Sequence, residues 1–212
     1  MQTLTSKKWI TTRDLVYCSI FTVLIAVGAF IKIPIPVVPF TLQFLFTTMA
    51  GLILGSKRGA ISVVIYTLLG LFGLPIFSQG GGIYYVLVPS FGYIIGFIFG
   101  TYITGKIIEI INKRTLLTYL IANFSGLLIV YLVGMVYYYV LSNYTTPLHI
   151  WLYTDVAKYY YVLSNYTTPS PIGLWSLFLY CFVLAVPGDI FICIFTAILA
   201  VRLNPLLEEF KN

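Results

Sequence analysis

Residues 174–201, LWSLFLYCFVLAVPGDIFICIFTAILAV, decide the fold of this chain, because this long apolar run contains only one charged residue, Asp189. About 20 mostly apolar residues suffice for a helix to cross the hydrocarbon core of a membrane, so the run predicts a transmembrane helix. The Pro187-Gly188 pair directly before Asp189 predicts a break in that helix. Backbone groups freed by such a break are tolerated only beside protein or water, which predicts a polar pocket there.

Asp189 differs from the other acidic residues, all of which lie at or beyond the end of an apolar segment. A charge at membrane depth costs at least about 2.5 kcal/mol, and such a side chain therefore usually faces a cavity or a partner. We interpret Asp189 as a ligand-binding residue. The alternative is a structural carboxylate that caps a helix restarting after Pro187.

The rest of the sequence has the composition of a polytopic membrane protein. Hydrophobic residues make up 60% of the chain and charged residues only 8%, whereas about a quarter of the residues in a soluble domain are charged. We therefore predict an all-α membrane protein that forms one domain over residues 1–212. Its six predicted transmembrane helices are residues 14–32, 41–56, 59–77, 90–111, 115–141 and 172–201.

The basic residues predict the orientation of these helices. They fall at the ends of apolar segments rather than on one continuous patch, which argues against nucleic acid as a partner despite the net charge of +6. With the N-terminus in the cytoplasm, only Lys32 and Lys158 fall outside, and the positive-inside rule therefore favours cytoplasmic N- and C-termini. The basic residues predicted on the cytoplasmic side are Lys7, Lys8, Arg13, Lys57, Arg58, Lys106, Lys113, Arg114, Arg202 and Lys211.

A perfect repeat follows the fifth predicted helix. The sequence YYYVLSNYTTP of residues 137–147 recurs at residues 159–169. A solenoid would contain several diverged copies, so one perfect pair is typical of a local tandem duplication. We interpret residues 148–169 as a duplicated insertion in the external loop between helices 5 and 6, since surface loops tolerate added length. The alternative is a functional lid over the outer face.

Glycines recur every four residues in two places. Gly92, Gly96 and Gly100 share one face of the fourth predicted helix, and residues 51, 55 and 59 are glycines through the second helix and its cytoplasmic turn. Small residues at this spacing let helix backbones approach closely in lipid, so we predict two packing faces.

The sequence offers little support for an enzyme. It contains one histidine, His149, which lies in the external insertion, and no metalloprotease, nucleophile-elbow or Walker-type motif. Without a nucleophile with its base, or a metal cluster, covalent or hydrolytic catalysis is not expected. An ATP-driven transporter built on this chain would therefore have to use the ATPase of a separate subunit.

Three irregular segments are predicted at the outer side. They are the proline-rich residues 33–39, the flexible residues 78–82 and the Pro187-Gly188 break. Asp189 lies 13 residues before Arg202, which places it roughly 20 Å above the cytoplasmic end of its helix. We therefore expect an outward-facing pocket with Asp189 at its floor.

Five motifs follow one another along the chain: Pro39-Phe40-Thr41-Leu42-Gln43, residues 51–60 (GLILGSKRGA), Tyr66 with residues 70–77 (GLFGLPIF), residues 92–97 (GYIIGF) and Pro187-Gly188-Asp189. Together they resemble the BioY family, the biotin-binding S components of energy-coupling factor (ECF) transporters. The resemblance covers nearly the whole chain apart from one copy of the repeat.

The resemblance implies a six-helix subunit, with the S-component fold, that captures biotin from outside. An ECF module of one transmembrane coupling subunit and two ATPase subunits would power uptake across the plasma membrane of a prokaryotic cell. The chain itself would hold no cofactor and no metal, perform no catalysis and contact only biotin, the module and membrane lipid.

The chemistry of biotin then assigns roles to the candidate residues. Its apolar fused rings suit an aromatic wall that contains Tyr93, and its ureido N–H groups suit the carboxylate of Asp189. Its valerate carboxylate needs a cation or other donors, for which we expect Lys32, with the backbone N–H groups of residues 80–82 as the alternative. The predicted ligand-binding residues are Asp189, Tyr93, Gln79, Gly81, Gly82 and Lys32.

Two positions depart from the pattern of that family. Ile192 stands where the family usually carries a lysine, three residues after the aspartate. Ser19 and Val23 stand where the first helix commonly carries two alanines that dock on the coupling subunit, and we predict these two residues at the coupling interface. A different small vitamin or cofactor precursor stays open as the ligand, as does, more remotely, an integral-membrane enzyme that uses Asp189 as an acid or base.

Overall fold

The computed structural model describes residues 11–33, 39–144, 175, 178–183 and 185–209, with the side chains of residues 144, 180 and 204–209 left out. The predicted insertion at residues 148–169 lies outside these ranges. The helices are α1 (Thr12–Phe30), α2 (Gln43–Leu54), α3 (Ser56–Leu71), α4 (Phe91–Ile111), α5 (Leu116–Tyr144) and α6 (Val186–Glu209). Two short strands, β1 (Lys32–Ile33) and β2 (Phe40–Thr41), pair antiparallel, a 3-10 helix covers Ile83–Leu87 and a π-helical turn covers Leu179–Val183.

The first helix starts with a capping box at the end of the bundle that carries Arg13, Arg58 and Arg114, hereafter the basic end. The backbone N–H of Thr11 donates to the Asp14 carboxylate at 3.0 Å, and the N–H of Asp14 donates to the Thr11 hydroxyl at 3.3 Å. Asp14 also forms an ion pair of 3.2 Å with Arg58 at the start of α3. This buried acid therefore has a structural role at the end of the helix.

The predicted second and third spans form a tight pair of shorter helices. Gly55 separates α2, of 12 residues, from α3, of 16 residues, and has a φ of 84° that favours glycine. At about 1.5 Å per residue these helices are roughly 18 and 24 Å long, less than the roughly 30 Å hydrocarbon core. Within the described residues, four segments are long and apolar enough to cross a membrane, so the count of six spans and the cytoplasmic termini stay predictions. These segments are Thr12–Phe30, Phe91–Ile111, Leu116–Asn143 and Cys181–Leu203.

The start of the repeat belongs to a helix rather than to a loop. The fifth helix extends to Tyr144, three residues beyond its predicted end, and therefore includes most of the first copy of the repeat. Tyr138, in that copy, is only 1% exposed and packs in the core. Residues 137–144 of the first copy are thus part of the bundle.

Close backbone contacts hold the basic end of the bundle together. α4 packs against α5, α3 and α2, while α1 packs on α2 and α3, and α6 packs on α5 and α2. A Cβ atom added to Gly105 of α4 would lie 2.4 Å from the backbone nitrogen of Ser56, and one added to Gly51 would lie 2.7 Å from the carbonyl of Thr101. Gly96 would meet the carbonyl of Val130 at 2.9 Å. The two predicted glycine packing faces are therefore confirmed.

Candidate ligand-binding site

A cavity lies at the end of the bundle opposite the Gly55 turn, where β2, the 3-10 helix and the first turns of α2, α4 and α6 meet the middle of α5. It has a volume of about 50 Å³, which is room for a few water molecules. The wall is mostly aromatic and apolar, with a few polar side chains, as is typical of small-molecule sites. Its aromatic lining is Phe40, Phe44, Tyr85, Tyr93, Phe97 and Tyr131, and its polar lining includes Thr41, Gln43, Ser78, Ser90 and Asp189.

Asp189 lies in this cavity, as the sequence predicts. The residue is 8% exposed and occupies the first turn of α6, where its backbone N–H donates to the carbonyl of Ala185 at 3.2 Å. The hydrogen bond described for its carboxylate comes from the hydroxyl of Tyr131 on α5, at 2.5 Å from Oδ2. The carboxylate thus bridges two helices, and this contact does not support the alternative in which it caps its own helix.

The local sequence explains why the carboxylate reaches the cavity. α6 begins at Val186, so Pro187 falls in the first helical turn, where a missing N–H costs no helical hydrogen bond. The predicted break is therefore present, and the π-helical turn at Leu179–Val183 precedes it. A Cβ atom added to Gly188 would lie 2.7 Å from the ring of Phe40, so glycine lets the β2 segment close on the start of α6.

Aromatic rings pack around the hydrogen-bonded pair of Asp189 and Tyr131. Tyr93, which is 8% exposed, donates its hydroxyl to the carbonyl of Cys181 at 3.3 Å and meets the ring of Tyr131 edge to face, with centroids 6.1 Å apart. Tyr131 also packs against Phe182, with centroids 5.1 Å apart. A Cβ atom added to Gly134 would lie 2.8 Å from the Tyr93 ring, so this glycine makes room for it. The predicted aromatic wall with Tyr93 is therefore present.

Hydroxyl and amide groups form two further chains around the cavity. The amide of Gln43 donates to the hydroxyl of Tyr66 at 2.7 Å. The hydroxyl of Tyr85 lies 3.2 Å from that of Ser78 and 3.0 Å from that of Ser90. These groups supply additional donors and acceptors to a polar ligand.

The other predicted ligand-binding residues lie near the cavity but outside its lining. Lys32 is exposed on β1, and its Nζ donates to the carbonyl of Ser78 at 2.5 Å, so it lies directly behind a lining residue. Gln79, Gly81 and Gly82 follow Ser78 in the loop, and the N–H of Gly82 donates to the backbone carbonyl of Gly70 at 2.7 Å. The roles of these four residues in ligand binding stay predictions.

The two departures from the family pattern have clear structural settings. Ile192 is 3% exposed and packs in the main core. On α1, Val23 is 62% exposed, and Ser19 is exposed with its hydroxyl donating to the carbonyl of Leu15 at 2.9 Å. The predicted coupling face is therefore accessible to a partner.

Several residues that line the cavity carry no signal in the sequence. Tyr131 is one of many aromatic residues in a continuously apolar helix, so nothing marks it before its neighbour across the bundle is known. Tyr85 lies in the 3-10 helix Ile83–Leu87, which the sequence does not predict, and Ser90 follows that helix. Gln43, in contrast, carries a signal, because it is a polar residue at the start of a predicted span.

The geometry is that of a binding site. Among the described residues, no three His, Cys, Asp or Glu side chains gather as a metal site. The cavity offers one carboxylate, a ring of hydroxyl groups and aromatic walls. This set can orient a small ligand that has apolar rings and N–H donors.

Comparisons with known proteins agree with this description. A sequence model of the BioY family matches residues 1–209. The chain is 41% identical over 199 residues to a probable biotin transporter BioY of Lysinibacillus sphaericus, covering 93% of this chain and 90% of the relative. It is 44% identical over 124 residues to the biotin transporter BioY of Thermotoga maritima, covering 58% of this chain and 72% of the relative.

The fold also matches a solved structure, the S-component for biotin from an ECF-type ABC transporter. The TM-score is 0.63 at 26% sequence identity, and the match covers 92% of this chain and 95% of the other. The chain therefore has the S-component fold, and by sequence and structure together it belongs to the BioY family.

Proposed function

We propose that this chain is the biotin-capture S component of an ECF-type transporter and that it binds biotin from outside the cell for uptake. It is a transport protein and not an enzyme. The observation that carries the proposal is the pairing of Asp189 with Tyr131 in an aromatic cavity of a BioY-family chain.

The direction of capture follows from the charges. Arg13, Arg58 and Arg114 gather at the end of the bundle opposite the Asp189 cavity. The positive-inside rule favours that basic end in the cytoplasm, so the cavity faces the outside. The chain is a multi-pass membrane protein, and because the two relatives named above are bacterial, we propose the plasma membrane of a prokaryote.

The ligand chemistry fits the lining. Tyr131 occupies Oδ2 of Asp189, which leaves the other carboxylate oxygen to accept a hydrogen bond from a ureido N–H of biotin. The rings of Tyr93 and Phe97 suit the apolar face of the bicyclic ring system. We propose that the valerate carboxylate points toward Ser78, behind which the Lys32 ammonium lies.

Biotin is larger than the cavity, so binding requires the lining to move apart. Phe40 and Tyr93 line the cavity, and each ring lies against a glycine, so we propose that these two rings move. Rotation of these rings would widen the site while the backbone of the helices stays in place.

We propose that uptake is powered by an ECF module of one transmembrane coupling subunit and two ATPase subunits. The chain itself offers an exposed apolar face on α1, which includes Val23 and Val27, for docking in the membrane. Ser19 lies at the edge of that face and provides a small residue for close approach.

The direct test is equilibrium binding of radiolabelled biotin to the purified full chain in neutral detergent. We expect saturable binding of one biotin per chain that unlabelled biotin displaces. Thiamine and riboflavin serve as competitors, because burial of Ile192 at the usual lysine position could favour another vitamin. Displacement by one of these and not by biotin would replace the proposed ligand and keep the fold assignment.

A further inference from the structure

A second and larger cavity lies at the basic end of the bundle, with a volume of about 540 Å³. Its lining comes from α1, α4 and the turn from α2 to α3. The spacing of the lining residues indicates that one face of α1 and one face of α4 border the cavity. Arg13, Tyr17 and Phe21 recur every four residues on α1, and Gly105 and Glu109 share one face of α4.

The charged residues lie at the mouth of this cavity. Arg13, Arg58 and Arg114 line it together with two carboxylates. Both carboxylates have partners of their own, since Asp14 pairs with Arg58 at 3.2 Å and Glu109 pairs with a lysine outside the lining at 3.6 Å. Within the described part of the chain, the exposed Arg13 guanidinium has no carboxylate at ion-pair distance. The mouth therefore carries an excess of positive charge.

Glu109 lines the cavity, but its carboxylate is hydrogen-bonded to the turn from α2 to α3. Its Oε1 accepts hydrogen bonds of 2.8 Å from both the backbone N–H and the hydroxyl of Ser56, and Oε2 lies 2.9 Å from the same hydroxyl. This acid is thereby committed to fixing the start of α3. Its negative charge is offset by the neighbouring Lys106 ammonium.

The interior of the cavity is apolar. Tyr17 and Phe21 lie one and two turns along α1 from Arg13, and Ile53 of α2 and Ile108 of α4 line the same cavity. A cationic mouth above an apolar wall at one end of a membrane bundle complements an amphiphile with an anionic head group.

We propose that this cavity binds an anionic phospholipid, with the phosphate at Arg13 and Arg58 and an acyl chain along Tyr17 and Phe21. Basic pockets between transmembrane helices recognise such head groups, and each basic residue near the membrane surface contributes a few-fold in affinity. A free phosphate would use only the mouth of the cavity. The apolar wall is the observation that favours the lipid.

The site is separate from both functions proposed above. Tyr17 and Phe21 lie about half a helical turn around α1 from Ser19 and Val23, so the lipid and the coupling subunit occupy different faces. The Asp189 cavity lies at the opposite end of the bundle. The proposal therefore stands or fails independently of biotin binding.

The test is native mass spectrometry of the purified full chain in neutral detergent with added phosphatidylglycerol or phosphatidylcholine of equal chain length. We expect phosphatidylglycerol to be retained selectively by the wild type. Arg13→Gln should weaken this retention on the order of fivefold, and Tyr17→Ala should weaken it as well. Arg202→Gln removes an exposed charge outside the cavity lining and should retain the lipid as the wild type does.

Three results would overturn the proposal. The first is equal retention of the two lipids by the wild type, and the second is an equal loss of retention in Arg13→Gln and Arg202→Gln. The third is full displacement of the bound lipid by inorganic phosphate or glycerol phosphate at millimolar concentration, which would identify a soluble anion as the occupant. Circular dichroism and gel filtration check that each variant is folded, so the loss is assigned to the site.

Discussion

Replacement of Asp189 by asparagine is the most direct test of the outer site. The two side chains have nearly the same shape, so the packing around this 8% exposed residue should persist. If the oxygen of the new amide side chain keeps the 2.5 Å hydrogen bond from Tyr131, its NH₂ group turns toward the ligand. It would then meet the ureido N–H of biotin, and two donors would face each other.

The expected loss of biotin affinity follows from the negative charge of the Asp189 carboxylate, which the asparagine lacks. A hydrogen bond to a charged group contributes about 1.5–3 kcal/mol, and about 1.4 kcal/mol corresponds to tenfold in affinity. Asp189→Asn should therefore weaken biotin binding about ten- to a hundredfold. Tyr131→Phe leaves the carboxylate but removes the hydroxyl that holds it, so we expect a smaller loss of about fivefold.

The assay is equilibrium binding of labelled biotin to detergent-purified protein, with yield and elution volume as checks on folding. Asp14→Asn is the matched control, since it makes the same chemical change at another buried acid, 4% exposed and at the opposite end of the bundle. We expect that control to bind biotin as the wild type does. Asp189→Asn with an affinity within twofold of wild type and an intact fold would refute the ligand role and leave Asp189 as a structural link to α5.

Four further predictions concern other parts of the chain. Deletion of residues 148–169 restores a single copy of the repeat and should leave labelled-biotin binding intact, because surface loops change length at little cost; loss of binding with an intact fold would identify a lid. Wild type should prefer biotin over its methyl ester and Lys32→Gln should lose that preference, whereas equal preference in both would make Lys32 an interfacial anchor. Val23→Trp should abolish uptake in cells that express the ECF module while purified protein still binds biotin, since Val23 is 62% exposed; normal uptake would move the coupling face elsewhere. Gly134→Ala should lower biotin affinity by displacing the Tyr93 ring, which lies 2.8 Å from the added Cβ; unchanged affinity would show that this ring yields freely.

The sequence predicts the membrane class, the helical fold and Asp189 because each depends on a strong local signal. One carboxylate in a long apolar run is unusual, and the Pro187-Gly188 pair explains the helix start beside it. Gly55 shows the limit of this reasoning. Its spacing predicts only a packing face, and the structure shows that its positive φ also ends one short helix and starts the next.

Residues that depend on long-range contacts cannot be identified from the sequence. Tyr131 is distinguished from the other tyrosines of its helix only by an acid 58 positions away in sequence. Residues 78–82 and Lys32 are candidates because the sequence predicts them on the outer side. That prediction gives the end of the bundle at which they lie, but not the direction in which a side chain points. In the structure the Lys32 ammonium donates to the backbone carbonyl of Ser78, and its contact with a ligand stays a prediction.

Two glycines beside the Asp189 cavity differ in their contacts from the glycines that pack helix against helix. At the basic end, Gly51 and Gly105 lie against backbone atoms, which cannot rotate away. At the ligand end, Gly134 and Gly188 lie against aromatic rings, which can turn about their side-chain bonds. Backbone contacts such as those of Gly51, Gly105 and, nearer the cavity, Gly28 therefore keep the helices in register, while the rings beside the cavity can still turn. Widening of the proposed binding site can thus come from two side chains, with no shift of the helices.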